Sequence, residues 1–285
     1  MGKIPESELV LNKDGSVYHL NLLPKHLSDT IIAVGDPSRV YKISQYFDEL
    51  EFEMNRREFI THIGTYRGKR LTVISTGMGT DNIEIFLTEL DALANIDLKK
   101  REVKEKKRKL KIIRVGTSGA LQEEIPLGTH LVSDHAVGLD TLMFFYNLPQ
   151  EKHELETAAQ LQEQVGLPFK PYVVRGSQSL LEKLGEGMVV GNTVTCPGFY
   201  APQGRKIRLG LTYPKLLEKL CYFNNNGMWL TNFEMETAGY YAMGRMLGHE
   251  IISINAIIAN RPRNKFSKNP AKIVDSLIRK VLDRI

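Results

Sequence analysis

Cysteine is scarce in this chain. Cys196 and Cys221 are the only two in 285 residues, too few for a disulfide framework, so a reduced cytoplasmic protein is expected. No apolar run reaches the roughly eighteen residues of a membrane span. The opening MGKIPESELVLNKDG has no apolar stretch of signal-peptide type. Glu6 stands where a myristoylation pattern wants Ser or Thr. Neither GxxxxGK[ST] nor HExxH occurs, and GTSGA is not the GxSxG of a nucleophile elbow. GMGTDN lacks the third glycine of a dinucleotide loop. None of the seven histidines forms a pair with metal-ligand spacing along the chain. Repeats and low-complexity linkers are absent as well.

What is present is ordinary globular composition, 42% hydrophobic and 25% charged. The length suits one large domain or two small ones. A net charge of +5 raises the question of nucleic acid, but the charge is local. Of 38 basic and 33 acidic residues, nine and two lie in KKREVKEKKRKLK (99–111), leaving 29 and 31 elsewhere. The run reads as a solvated helix extension between two elements. An RNA-binding patch is the sharper alternative, and no aromatics interleave the run to stack on bases.

Short β-branched runs recur at 30–36, 70–76, 111–119, 129–137, 188–194 and 250–260, each bounded by turn residues, and predict strands. Helical spacing occupies 83–96, 153–166 and 233–247. NPAKIVDSLIRKVLDRI closes the chain as a helix at 270–285, with Asn269 at the N-cap and Pro270 in the first turn. Strands alternating with helices predict an α/β fold with a mixed, largely buried sheet.

Several stretches pair strand ends with anion-binding chemistry. AVGDPSRV places Gly35 at a strand end, with Arg39 four residues on as a fork for an oxyanion. IIRVGTSG runs from Arg114 into Gly116, Thr117, Ser118 and Gly119, either an anion nest at a strand end or a tight βα turn. RREF adds Arg56 and Arg57. Together they offer arginines and hydroxyls suited to a phosphate dianion. NFEMETAGYY sets Glu234, Met235 and Glu236 where a strand-like stretch meets a helix. A carboxylate suits a sugar diol and a thioether its apolar face, although acids at a helix start are common. GFYAPQGR (198–205) combines Phe199 and Tyr200 with Gln203 and Arg205, the makings of a pocket for a flat ring with polar edges.

These motifs, with YHL (18–20), STGMG (75–79) and IIANR (257–261), resemble the nucleoside phosphorylase family, and within it the uridine phosphorylases most. They occur in the family's order and span roughly residues 17–261. The resemblance implies an α/β, single-domain nucleoside phosphorylase-like fold over 1–285, a twisted mixed central sheet flanked by helices, with 99–111 as a basic insertion. It implies that Gly35, Arg39, Arg57, Arg114 and Thr117 hold phosphate, and that His19, Met235 and Glu236 hold ribose. Phe199, Gln203, Arg205 and Arg261 would hold the base. Arg205, Gln203, Glu236 and Arg114 would carry catalysis. His19 and Arg57 would be lent across a subunit boundary, so a homo-oligomer is implied, a dimer at least and a hexamer of three dimers at most complete. No resident cofactor is expected, inorganic phosphate being a co-substrate. Relatives that bind K+ do so where this chain has Glu58, Met78 and Asn82, with Asn82 replacing a Ser.

The implied reaction is phosphorolysis of uridine to uracil and ribose 1-phosphate, with nucleoside and phosphate as partners and no nucleic acid or membrane. Purine members carry an Asp near the strand end where this chain reads Ala259-Asn260-Arg261, which favours pyrimidine. The alternatives are a purine nucleoside phosphorylase, a thioadenosine-type nucleosidase of the same fold, and a non-enzyme that binds RNA through 99–111.

Overall fold

The computed structural model describes residues 2–285. The chain divides into two compact units, one of residues 1–113 and 243–250, the other of residues 114–242 and 251–285.

In the first unit, β1 (Thr30–Val34), β2 (Glu49–Arg56), β3 (Phe59–Tyr66) and β4 (Lys69–Ser75) stand in the order β1-β4-β3-β2. β1 and β4 run parallel, while β4 with β3 and β3 with β2 run antiparallel. The apolar face of α1 (Pro37–Ser44), Val40 and Ile43, is buried. Asp36 caps this helix by accepting from the Ser38 backbone N–H at 2.9 Å, with Pro37 in its first turn. β2 is the outer strand, carrying Glu49, Glu51 and Glu53 into solvent. α2 (Thr80–Asn95) follows, burying Ile83, Phe86, Leu87 and Leu90 at helical spacing.

The basic run is not a helix extension. α2 stops at Asn95, and β5 (Ile96–Asp97), just ahead of the run, pairs with β6 (Glu102–Val103) inside it as a small hairpin. The Asp97 carboxylate accepts from the backbone N–H groups of Lys99 and Lys100 at 3.1 and 3.0 Å, a local bond that turns the chain in competition with helix. Stacked like charges would weaken a helix here in any case. Five of the run's cations are spent on the chain itself, among them Lys107 on Lys104 O and Lys109 on the Glu250 carboxylate. Arg101 donates to the carbonyls of Ile4, Pro5 and Leu9, Lys104 to that of Ala94, and Arg108 to Leu27 O and the Asp29 carboxylate.

β7 (Lys111–Ala120) leads into the second unit. There β8 (His130–Gly138), β9 (Tyr172–Arg175), β10 (Val189–Thr195), β13 (Asn232–Glu234), β14 (Glu250–Asn260) and β15 (Lys265–Phe266) join it in the order β15-β14-β8-β10-β13-β7, with β9 beside β8. β11 (Asn224–Asn225) and β12 (Met228–Trp229) form a separate hairpin. β8 with β10 and β10 with β13 run parallel, while β13 with β7, β8 with β14, β14 with β15 and β8 with β9 run antiparallel. α3 (Lys152–Val165), α4 (Gln178–Leu184), α5 (Leu216–Tyr222), α6 (Thr237–Leu247) and α7 (Pro270–Leu282) complete the chain. A core of Leu121, Val137, Leu161, Val173, Val194, Leu220 and Phe233 joins α3 and α5 to the strands. α7 buries Val274, Leu277, Ile278 and Val281, with Pro270 in its first turn, but the Asn269 side chain makes no capping bond.

The expected α/β architecture of a mixed sheet with helices is therefore observed. Among the described residues no helix is long and apolar enough to cross a membrane.

Candidate active site

Arg114 is fully enclosed. Its Nη2 faces Glu236 Oε2 and, at 2.9 Å, Glu234 Oε2, while Nη1 donates to Asn255 Oδ1 at 2.8 Å and Ser253 Oγ at 3.3 Å. Burial alone would lower its pKa, but the two carboxylates outweigh burial and hold it above the ordinary guanidinium value. The guanidinium lies back over its own strand. A Cβ at Gly116 would stand 2.0 Å from Nη1 and 2.8 Å from Asn255 Oδ1, so glycine here is a requirement of space. Gly116, Thr117, Ser118 and Gly119 lie inside β7, which continues to Ala120. They form neither a strand-end nest nor a βα turn, because all four keep φ out of the left-handed region and the strand carries on. The Thr117 hydroxyl has no hydrogen-bond partner among the described residues.

Glu234 builds the frame around Glu236. Its carboxylate accepts from the backbone N–H of Glu236 at 3.0 Å and of Thr237 at 3.0 and 3.1 Å, and from Thr195 Oγ1 at 2.7 Å. It thus satisfies the orphan donors at the start of α6, where negative charge is also favoured by the helix dipole. Glu236 is buried and Met235 half-buried beside it. With one guanidinium and two carboxylates the cluster carries a formal −1.

The 198–205 loop is a compact structure. The N–H groups of Gln203 and Arg205 donate to Tyr200 O at 3.1 and 2.8 Å, and Gly204 turns the chain at φ 68°. The Arg205 guanidinium lies 3.8 Å over the Phe199 ring, occupying one of its faces. Its Nη1 donates to Phe199 O and Gln203 Oε1. Arg261 Nη1 donates to Gln203 O at 2.9 Å. The Phe233 ring lies 5.7 Å from the Arg205 guanidinium and 5.6 Å from that of Arg261. Burial, with Arg261 nearby, lowers the Arg205 pKa to about 10, and burial lowers that of Arg261. The predicted base-binding residues Phe199, Gln203, Arg205 and Arg261 are thus brought together. Arg205 occupies one of the two lone pairs of the Gln203 amide oxygen, and Gln203 Nε2 has no partner among the described residues. The edge is rich in donors and keeps one acceptor position.

Asn260 does not face this group. Its Nδ2 donates to the carbonyls of Gln122, Glu123 and Ile125 at 3.0, 3.3 and 2.8 Å, and its Oδ1 accepts from the Arg263 N–H at 3.0 Å. The residue is a staple for the 122–125 loop, so its neutrality says nothing direct about the base.

In the first unit, Gly35 follows β1, and a Cβ there would make a tight contact, 3.2 Å from Gly77 O. Arg39 is buried on α1. Arg57 occupies the β2–β3 turn at φ 53°, unusual for a residue with a side chain, and its guanidinium lies 5.9 Å from the Tyr18 ring. His19, next to Tyr18, meets Glu89 through Nδ1 at 2.6 Å, and Glu89 also accepts from the backbone N–H groups of His19 and Leu20. His19 and Arg57, the two residues expected to be lent to a neighbour, therefore flank one tyrosine. Glu58 and Asn82 both crowd Gly77, and the Asn82 amide donates to Met78 O at 3.4 Å.

Sequence reasoning missed the partners that fix these groups. Phe233 is not singled out by its pattern, and Glu234 reads beside Met235 and Glu236 as part of a sugar site rather than as a partner of Arg114. Ser253 and Asn255 lay unnoticed in EIISINAIIAN, where two polar residues in a fully apolar strand were the available signal.

The model of the Phosphorylase superfamily matches residues 29–283. The chain belongs to that superfamily. Within the superfamily, the uridine phosphorylase of Thermococcus kodakarensis is 29% identical over 93% of this chain and 85% of its own length. A DeoD-type purine nucleoside phosphorylase of Colwellia psychrerythraea is 26% identical over 83% and 84%. Among solved structures, a Trypanosoma brucei nucleoside phosphorylase that shows uridine phosphorylase activity is 31% identical. It covers 97% of this chain and 100% of its own, at a TM-score of 0.87.

Proposed function

We propose that the protein cleaves pyrimidine nucleosides with phosphate, converting uridine and phosphate to uracil and ribose 1-phosphate. The observation that carries this reading is the donor-rich edge formed by Gln203, Arg205 and Arg261 beside Phe199. A phosphate oxygen attacks the anomeric carbon while the glycosidic pair of electrons withdraws to the base nitrogen, through an oxocarbenium-like transition state. The pyrimidine leaves as an anion whose charge spreads to its carbonyl oxygens. Donors that gain most from that charge stabilise the transition state over the ground state. Uracil presents two carbonyls to these donors and its N3–H to the second lone pair of Gln203 Oε1, whereas a purine leaves best when an acid protonates it, and no carboxylate belongs to this group.

Glu236 accepts from the ribose hydroxyls, Met235 packs on the sugar, and Glu234, Asn255 and Ser253 hold Arg114 in place. Arg114 is already met by two carboxylates, so a phosphate dianion needs further cations, the role assigned to Arg39 and Arg57 with Gly35 and Thr117. His19 serves the ribose 5′-hydroxyl of a neighbouring copy, making the working form a homo-oligomer, a dimer or a hexamer of dimers, in the cytoplasm. The reading needs no resident cofactor and no nucleic acid.

A purine nucleoside phosphorylase is the second reading, favoured by relatives such as the Colwellia protein. Assays of uridine, thymidine, inosine and adenosine, each with and without phosphate, separate the two. Uridine turnover that requires phosphate, and that falls in Arg205→Ala by about 2–4 kcal/mol in kcat/KM, is expected for the loss of one such donor. Faster inosine turnover, or equal rates without phosphate, refutes the proposal.

A further inference from the structure

His135 on β8 and His153 on α3 point their Nε2 atoms at each other across 3.4 Å. Neither takes part in the Arg114 or Arg205 clusters. Each ring has its other nitrogen against a carboxylate, His135 Nδ1 at 2.8 Å from Asp134 Oδ2 and His153 Nδ1 at 3.4 Å from Glu151 Oε2. A carboxylate at Nδ1 draws the proton to that nitrogen, the tautomer in which the two Nε2 lone pairs face each other. Two lone pairs facing at this distance repel unless a cation lies between them. The 3.4 Å separation also has a geometric meaning. Two nitrogens bound to one zinc at about 2.0–2.1 Å, in tetrahedral arrangement, lie about 3.3–3.4 Å apart.

The surroundings agree. The buried Glu154 carboxylate offers an oxygen, and it and the two Nε2 atoms all lie within 4.8 Å of one another. It is held in place by the backbone N–H groups of Glu151 at 2.8 Å and Arg175 at 3.0 Å. Asp134, Glu151 and Glu154 against Arg175, whose Nε donates to Asp134 Oδ1 at 3.0 Å, give a formal −2 with neutral imidazoles. A dication balances that charge. Histidine rings backed by carboxylates are the arrangement that orients and strengthens imidazole ligands. Oxygen-seeking Mg2+ or Ca2+ is a poor match for two nitrogens. The exposed side of His153 leaves room for water in a fourth position.

We propose that His135, His153 and Glu154 form a binding site for a borderline divalent metal ion of the zinc class. The site lies on β8 and α3, independent of the nucleoside chemistry proposed above.

The test uses the full chain, stripped with chelator and kept in phosphate-free buffer, and Co2+ as the probe. Expected is one Co2+ per chain, with visible d–d bands and no sulfur-to-cobalt charge transfer, and displacement by Zn2+. His153→Ala, on an exposed helix position, should melt within a degree or two of the metal-free parent and bind Co2+ about tenfold more weakly or worse. His135→Gln gives a second removal of a ligand, and Cys221→Ser should bind as the parent does. Absence of a stoichiometric site in the parent overturns the proposal, as does parent-like affinity in both histidine variants. Retention of phosphate-dependent uridine turnover in His153→Ala shows that the failure of one proposal leaves the other standing.

Discussion

Replacing Gly116 with alanine inserts one methyl group against a buried guanidinium that has four side-chain partners. The new Cβ would lie 2.0 Å from Arg114 Nη1 and 2.6 Å from its Cζ. A flexible arginine at a surface would swing aside at little cost. This one is buried and bonded to Glu234, Glu236, Asn255 and Ser253. Moving it leaves two buried carboxylates without their cation. Breaking a buried pair by displacing one partner costs about 3–5 kcal/mol. For a chain of this size that amounts to a fall in melting temperature of about 6–20 °C. Chemical denaturation and calorimetry measure it, with uridine turnover alongside. Arg114→Met supplies the control, since it removes the guanidinium that the methyl group meets. In that background Gly116→Ala should add less than about 1 kcal/mol, a sub-additive cycle between contacting sites. If Gly116→Ala alone melts with the parent, or if the two changes simply add, glycine is not there to house the guanidinium.

Asn260→Asp places a carboxylate before three carbonyls that now receive N–H bonds, and should cost about 2–4 kcal/mol in denaturation without raising inosine turnover relative to uridine; a gain of inosine activity would show that residue 260 reaches the base. Burial, opposed by Arg261, raises the Cys221 thiol to about 11, so at pH 8 about one molecule in a thousand is thiolate. Reaction with an aromatic disulfide reagent should be slow there and climb as pH approaches 11, while buried Cys196 reacts only in denaturant; rapid titration of both thiols at pH 8 contradicts the packing. Arg39→Ala and Arg57→Ala, each expected to be nearly inactive, should regain up to about one active site in four when co-assembled if Arg57 serves a neighbour's site, and confirmed mixed oligomers without activity would show that the sites are self-contained.

The strands legible in the sequence were those whose two faces are both covered. TIIAVGD, RLTVIST and EIISINAIIAN fall on β1, β4 and β14 within a residue or two, because continuous apolar runs leave little else for such segments to be. The outer strand β2, ELEFEMNR, is polar and exposed, so no hydrophobic period marks it. The base loop was legible as a group, since Phe199, Gln203 and Arg205 are neighbours in the chain. Its chemistry was not, because which positions of the Gln203 amide stay free depends on Arg205 in three dimensions. The same holds for His135 and His153, eighteen residues apart, which no spacing rule pairs and which β8 and α3 bring within 3.4 Å. The basic run misled through its composition. Lys99 to Lys111 reads as helix by propensity, while Asp97 and Asn95 redirect the backbone through bonds that a pattern of residue types does not contain.

The three glutamates of β2 have a bearing on life at high concentration. An outer strand exposes a row of unpaired backbone N–H and C=O groups, an invitation to a strand from another molecule. Were two copies to meet along this strand, the Glu49, Glu51 and Glu53 side chains of both would be crowded into one ladder, where like charges repel. Growth of the sheet from one molecule into the next, the first step toward a fibre, is thereby discouraged at the place where the chain is otherwise most open to it. Uncharged replacements of these three residues would keep the backbone ladder between β2 and β3, give up the Glu51–Arg70 ion pair, and remove that guard.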